Sequence, residues 1–268
     1  MAKPRQIKPE EQDDTAESKR LTAPQIFHAV AENGRSELSR SSQTLAFSAI
    51  AGGITMGLTG LSVASVHALV GIGGWEQLVS YLVYPVGFIA VIIGRAQLFT
   101  ENTLYPVILV LDEHRYFFQT LRLWGVVFSC NILGAFLFAL LAVKTSALSP
   151  DILFQLVHLG IQAANGSAGH LFWSAVVGGW LIALVAWVVT ASHWTIGQLA
   201  MVWLLTLVVG IGKFAHCIAS SGEIISAVVA GALPVGAYFH WLLPAVLGNI
   251  VGGVVIVSVL NYGQVKEV

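Results

Sequence analysis

Charge is scarce in this chain, and so are the residue patterns on which soluble chemistry usually depends. Of 268 residues only 10% are Asp, Glu, Lys or Arg, too few to cover the surface of an ordinary globular domain. Thirteen basic and 14 acidic residues nearly cancel, to a net charge of -1, so no basic field is present to hold a nucleic acid. The two cysteines, Cys130 and Cys217, both fall inside apolar stretches, which argues against a disulfide framework and a cysteine-based metal site. There is no phosphate-binding glycine loop, no His-Glu-x-x-His run and no arrangement suggesting a hydrolase triad, so no cofactor, metal or enzymatic activity is expected. Paired Asn-Pro-Ala boxes are also missing, which weighs against a water or glycerol pore. No apolar run follows the N-terminal basic residues, which argues against a cleaved signal peptide.

What the chain has in abundance is apolar residues: 56% are hydrophobic and the mean hydropathy is +0.78, values of a polytopic membrane protein. Seven of the 13 basic and seven of the 14 acidic residues precede residue 41, so the remainder is more apolar still. Residues 1–21, mixing Lys, Arg, Glu, Asp, Gln and Pro, bury too little to order themselves and are expected to form a flexible cytoplasmic tail. Residues 22–42 carry a capping box with an early proline, Thr22-Ala23-Pro24-Gln25, then Ile26, Phe27 and Val30 at helical spacing. This predicts an amphipathic helix on the membrane face, ending near Gly34, and a linker.

Six apolar segments follow, roughly 43–70, 78–111, 117–143, 168–191, 197–233 and 240–261, within an expected channel domain of 43–262 and before a cytoplasmic tail of 263–268. Six spans put both termini on one side. Under that topology ten Lys and Arg lie on the terminal side and one, Lys144, lies opposite, so both termini are expected in the cytoplasm. The second and fifth segments exceed one ordinary crossing. Each has a polar interruption, Gln97–Thr103 in one and His216–Glu223 in the other, which suggests discontinuous helices. The halves also repeat: Ser48-Ala49-Ile50-Ala51-Gly52-Gly53 matches Ser174-Ala175-Val176-Val177-Gly178-Gly179, and Asn131-Ile132-Leu133-Gly134-Ala135 matches Asn249-Ile250-Val251-Gly252-Gly253. Three spans per half is odd, so the copies have opposite topology. The fold class is therefore all-α: six transmembrane helices in an inverted repeat, with the second and fifth broken.

Ionisable groups within such spans mark ion or solute paths by default. His216 can stay neutral, donate a hydrogen bond to an anion or give up a proton; the alternative is a structural histidine tied to a neighbouring helix. Lys213, three residues earlier, either supplies a field that draws an anion inward or pairs with Glu101 or Glu223. Arg95, before the first break, parallels Lys213 and admits the same two roles. Thr100 can bond His216 across the pseudo-two-fold, meet the solute, or bond back to its own chain. Tyr84, Phe88, Val209 and Phe214 precede the breaks and either form constrictions or simply pack.

With these residues in place, the chain from about 22 to 262 resembles the formate/nitrite transporter family. The resemblance rests on Pro24-Gln25-Ile26 with Gly34, Leu98-Phe99-Thr100 in the first break, Asn131-Ile132-Leu133-Gly134-Ala135, Phe214-Ala215-His216-Cys217-Ile218-Ala219 in the second break, and Gly248-Asn249. It implies an aquaporin-like fold assembled as a homopentamer in the bacterial inner membrane, with one pore per protomer. The facing histidine and threonine of the family would be His216 and Thr100, with Leu98 and Phe99 lining the first break and Phe88 and Val209 at the constrictions. The implied partners are membrane lipid and a small monovalent anion (formate, nitrite, lactate or hydrosulfide), moved with a proton or as the neutral acid. Three departures place the chain on a divergent branch. Gln162-Ala163-Ala164-Asn165-Gly166 lacks the family's vestibule lysine, Lys213 and Glu101 are added charges, and Ala215 replaces the usual polar residue before the histidine. The rival expectations are a neutral-solute pore and a non-conducting scaffold or sensor.

Overall fold

The structure, a computed structural model, describes residues 20–266. The tail expected over 1–21 lies outside the described residues as far as residue 19, as do the last two positions of the expected C-terminal tail. Every regular element among the described residues is helical. Helix α1 spans Ala23–Ser39 and begins at the capping box, where the Thr22 N–H donates to Gln25 Oε1 at 2.8 Å. The helix runs five residues past the stop expected at Gly34. That glycine is a contact: a Cβ there would lie 2.5 Å from the Tyr105 carbonyl, so its missing side chain brings two backbones together. Phe27, Val30, Ala31 and Leu38 share the buried face with it, and α1 docks on the helix Tyr105–Glu113.

Helix α2 (Ser42–Val70) packs along α6 (Phe117–Lys144). In the second half, α8 (Ala168–Thr190) packs in the same way along α11 (Val235–Val251). The expected second segment is α3 (Gly74–Tyr81), a turn at Pro85, α4 (Val86–Ile93), an irregular stretch with one 3-10 turn at Glu101–Thr103, and α5 (Tyr105–Glu113). The expected fifth is α9 (Thr195–Ile211), an irregular stretch, and α10 (Ala219–Val229). Both α4 and α9 stop at a glycine, and the chain turns away through a left-handed residue, Arg95 at φ 58° and Lys213 at φ 52°. Side chains with a Cβ disfavour that conformation by roughly 1–2 kcal/mol, so the surrounding contacts must hold it.

Among the described residues, five stretches are long and apolar enough to cross a bilayer: Ser42–Val70, Gly74–Ile93, Phe117–Lys144, Ala168–Thr190 and Val235–Val265. The 17-residue α9 and the 11-residue α10 are each shorter, as a discontinuous span requires. Beyond α11 the helix widens to a π-helical stretch at Gly252–Val259 and ends in α12 (Leu260–Val265). The widened turn accommodates the first break, since Ser258 Oγ donates to the Thr103 carbonyl at 3.0 Å. The helix thus reaches Val265, and Lys266 Nζ meets Asp112 at 2.6 Å.

One element was not foreseen. Helix α7 (Pro150–Ala164) lies between the third and fourth segments, starts at Ser149 with proline in its first turn, and buries Leu156, Leu159 and Gly160 against α10.

Candidate functional site

The two breaks are held by one set of bonds used twice. Asn131 Nδ2 donates to the carbonyls of Ala49 (2.7 Å) and Gln97 (2.9 Å), while its Oδ1 accepts from the Phe99 N–H at 2.9 Å. Asn249 Nδ2 donates to the carbonyls of Ala175 (2.7 Å) and Ala215 (3.0 Å), and its Oδ1 accepts from the Cys217 N–H at 2.8 Å. Ser48 Oγ accepts from the Gln97 N–H and Ser174 Oγ from the Ala215 N–H, each at 3.1 Å. Gly52 and Gly178 face the same two carbonyls, with a Cβ on Gly178 falling 2.5 Å from the Ala215 oxygen. The irregular backbone therefore has partners inside the protein, the condition for its existence at membrane depth. Neither the asparagines nor the serines were singled out as site residues, although a buried Asn at matched places in two apolar segments is the signal that finds them.

This register sets Leu98 opposite His216 in the repeat, and Thr100 opposite Ile218. The polar pair at the centre is thus asymmetric. His216 and Thr100 are both fully buried, and Thr100 Oγ1 lies 2.8 Å from His216 Nε2. At the other ring nitrogen, Nδ1 accepts from the Ala219 N–H at 3.0 Å and the Ile218 N–H at 3.3 Å, the free amides at the start of α10. A nitrogen receiving two N–H donors carries no proton itself, so the assigned tautomer is the neutral ring with hydrogen on Nε2. Nε2 then donates to Thr100, and the Thr100 hydroxyl hydrogen remains available to a third group.

Aromatic residues stack outward from this centre. The Phe88 ring meets His216 edge-on at 5.1 Å, and Tyr84 lies 5.7 Å from Phe88. Phe88, Val209 and Leu98 are fully buried. Phe99 is turned away, its ring against Phe128 (5.1 Å) and Trp124 (5.8 Å) of α6, so it packs the break rather than facing Thr100. Beyond Tyr84 and Val209 opens a cavity of about 360 Å³ beside the end of α7, lined also by Lys213, Phe214, Glu223 and His170.

The intramembrane charges do not pair. Of the five ion pairs among the described residues, none includes Lys213, Arg95, Glu101 or Glu223. Lys213 and Arg95 are exposed while Glu101 and Glu223 are buried, so of the two alternatives for Lys213, the pair with either glutamate is not formed. The physical reason is access: Lys213 opens on the cavity and needs no counter-charge in hydrocarbon. The ion pairs that do form sit at the terminal face. Glu113, at the end of α5, accepts from Arg115 and Arg35. Desolvation pushes its carboxyl up from 4.5, but the two guanidinium groups outweigh this and hold it below.

Comparison with known proteins follows the same lines. A family model described as "Formate/nitrite transporter" matches residues 24–263. The inner membrane protein YfdC of Escherichia coli (strain K12) is 31% identical over 252 residues, covering 90% of this chain and 78% of its own. Among solved structures, an "FNT family ion channel" superposes with a TM-score of 0.80 at 19% identity, over 90% of this chain and 99% of that one. A "Pentameric formate channel with formate bound" does so with a TM-score of 0.70 at 18% identity, over 82% and 96%. Fold, match along nearly the whole chain and the broken spans lead to one assignment: this all-α membrane protein belongs to the formate/nitrite transporter family of channels and transporters.

Proposed function

We propose that the chain is a proton-linked channel or transporter for a small monovalent anion of the formate, nitrite, lactate or hydrosulfide type. The observation that carries this reading is the 2.8 Å contact of Thr100 Oγ1 with His216 Nε2, which joins the two breaks in a buried centre flanked by Phe88 and Leu98. A bare anion is costly to bring past such apolar walls, whereas its neutral acid is not. The Thr100 hydroxyl, polarised by the Nε2–H it accepts, offers a hydrogen bond to the solute between the two breaks. Tyr84, Phe88 and Val209 act as the constriction, Lys213 draws the anion into the cavity, and Leu98, the repeat counterpart of His216, adds a buried apolar side chain.

The lysine and arginine count puts both termini in the cytoplasm, so the cavity beside α7 faces the outer side of a bacterial inner membrane. The relatives' printed descriptions, inner membrane protein and pentameric formate channel, favour that location and a five-fold assembly with one path per protomer. Flux of formate, nitrite, lactate and hydrosulfide into proteoliposomes between pH 5 and 8 tests the reading, with His216→Ala as the control. Flux that rises on the acid side and is lost in the variant is expected. No flux of any of the four, or flux indifferent to His216→Ala, overturns it.

A further inference from the structure

His216 is poorly placed to supply the proton that an anion needs. Its Nδ1 is occupied by two backbone donors and its Nε2–H is engaged by Thr100. The cavity beyond Tyr84 holds another acid. Glu223 of α10 is 8% exposed, lines the cavity with Lys213, and takes part in no ion pair and no side-chain hydrogen bond among the described residues. Space is reserved for it: a Cβ on Gly60 of α2 would lie 2.5 Å from Glu223 Cγ and 2.9 Å from its Oε1. A carboxyl in a purely structural role at this depth would be expected to have a cation or several donors. An acid that hands on its proton and is reloaded from water needs neither, only access, and the cavity provides it.

We propose that Glu223 is the proton donor to a small monocarboxylate held in this cavity by the Lys213 ammonium. The proposal rests on the anion reading above and narrows it. In the step, the O–H bond of the Glu223 carboxyl breaks and an O–H bond forms on the solute carboxylate oxygen. The electron pair stays on Glu223, which becomes a carboxylate lining the same cavity as Lys213, and the neutral acid moves on toward Phe88 and Thr100. Hydronium from the aqueous mouth returns the proton, so one anion and one proton cross together. A monocarboxylate suits this exchange because its conjugate acid is close in strength to a side-chain carboxyl, so the transfer runs either way. Nitrate and chloride, whose acids are far stronger, accept no proton from it. The other titratable groups around the carboxyl are Tyr81 and Tyr84, which with His170 line the same cavity. Behind them, among the elements packed on α10, stand His67 of α2, His158 of α7, bonded to Gln162, and Tyr238 of α11, bonded to Ser221. From α6 the Phe138 ring packs beside Gly222, the residue before Glu223.

The test is formate and lactate uptake by proteoliposomes from pH 5 to 8, comparing wild type, Glu223→Gln and Glu223→Asp, with nitrate as the anion that should not cross. In Glu223→Gln, uptake at pH 7 should fall about tenfold or more, in the range of a lost general acid. At pH 5, where bulk solution itself supplies neutral acid, it should stay within about twofold of wild type. Glu223→Asp, which keeps an acid on a shorter chain, should show the same acid-weighted profile with a smaller loss at pH 7, and it decides the matter should the glutamine variant fail to assemble. An unchanged profile, or an equal loss at every pH, overturns the assignment of Glu223 while leaving the anion reading intact. Absence of uptake by wild type at all pH values overturns both.

Discussion

Asn131 and Asn249 bind the two breaks with the same three hydrogen bonds, each to one carbonyl of an unbroken helix and to one carbonyl and one N–H of a break. The relationship explains how a chain with so little polarity keeps two irregular segments in its interior. It also shows what the repeat is for. One set of anchoring bonds is used twice, and the equivalent positions it holds display different side chains, Leu98 in one break and His216 in the other.

Removing either anchor should therefore loosen the fold before it touches chemistry. Asn131→Leu or Asn249→Leu strands two carbonyls and one N–H. At roughly 1 kcal/mol per stranded group, reduced by the partners that membrane interiors offer, each should cost about 2 kcal/mol. Thermal unfolding in detergent should register this as a midpoint lowered by several degrees in both variants. A midpoint matching wild type in either would show that the asparagine is not what holds its break.

Close approach of the helices makes a second, sharper demand. A methyl on Gly179 would run into the backbone of Asn249, whereas one on Gly125 meets nothing within 4 Å. Gly179→Ala should abolish recovery of folded protein. Gly125→Ala should raise stability by about 0.8–1.0 kcal/mol from helix propensity alone. Size-exclusion profiles of the two variants check this, and a well-folded Gly179→Ala would refute the contact.

Much of this architecture was legible in the sequence, and the gaps have physical causes. Polar interruptions in apolar runs located both breaks, and the Ser-Ala and Asn motifs revealed the repeat, because bilayer interiors tolerate such residues only for a reason. Helix α7 was missed because 15 residues buried on one face fall short of a crossing, although Ile152, Leu156 and Leu159 carry the helical spacing. Gly34 read as a stop because a glycine's role depends on what faces it, and Tyr105 is 71 residues away. The choice between a paired and an open Lys213 could not be made without the cavity. His67 was invisible for the same reason: it is 3% exposed with neither ring nitrogen bonded, against Tyr81, a burial created wholly by tertiary packing.

The terminal face should respond to acid. Glu113 is held below its ordinary 4.5 by Arg115 and Arg35, despite the opposing push of desolvation. A depressed carboxyl contributes stability that is present above its unfolded value and lost as pH falls through the folded one. The Arg35 link between α1 and α5 should thus be intact at neutral pH and weaken below about pH 4.5. Hydrogen exchange of α1 amides should accelerate there in wild type. In Glu113→Gln it should already be fast at pH 7, and equal rates in the two proteins at pH 7 would contradict the link.

The central claim is that solute passes the Thr100–His216 pair by accepting the threonine's hydrogen bond. Formate uptake by proteoliposomes carrying Thr100→Ser or Thr100→Val tests it most directly. Serine keeps the hydroxyl and valine keeps the shape. The account predicts near wild-type uptake in Thr100→Ser and a loss of about tenfold or more in Thr100→Val, the cost of one buried hydrogen bond to a polar solute. Equal uptake in the two variants would contradict it.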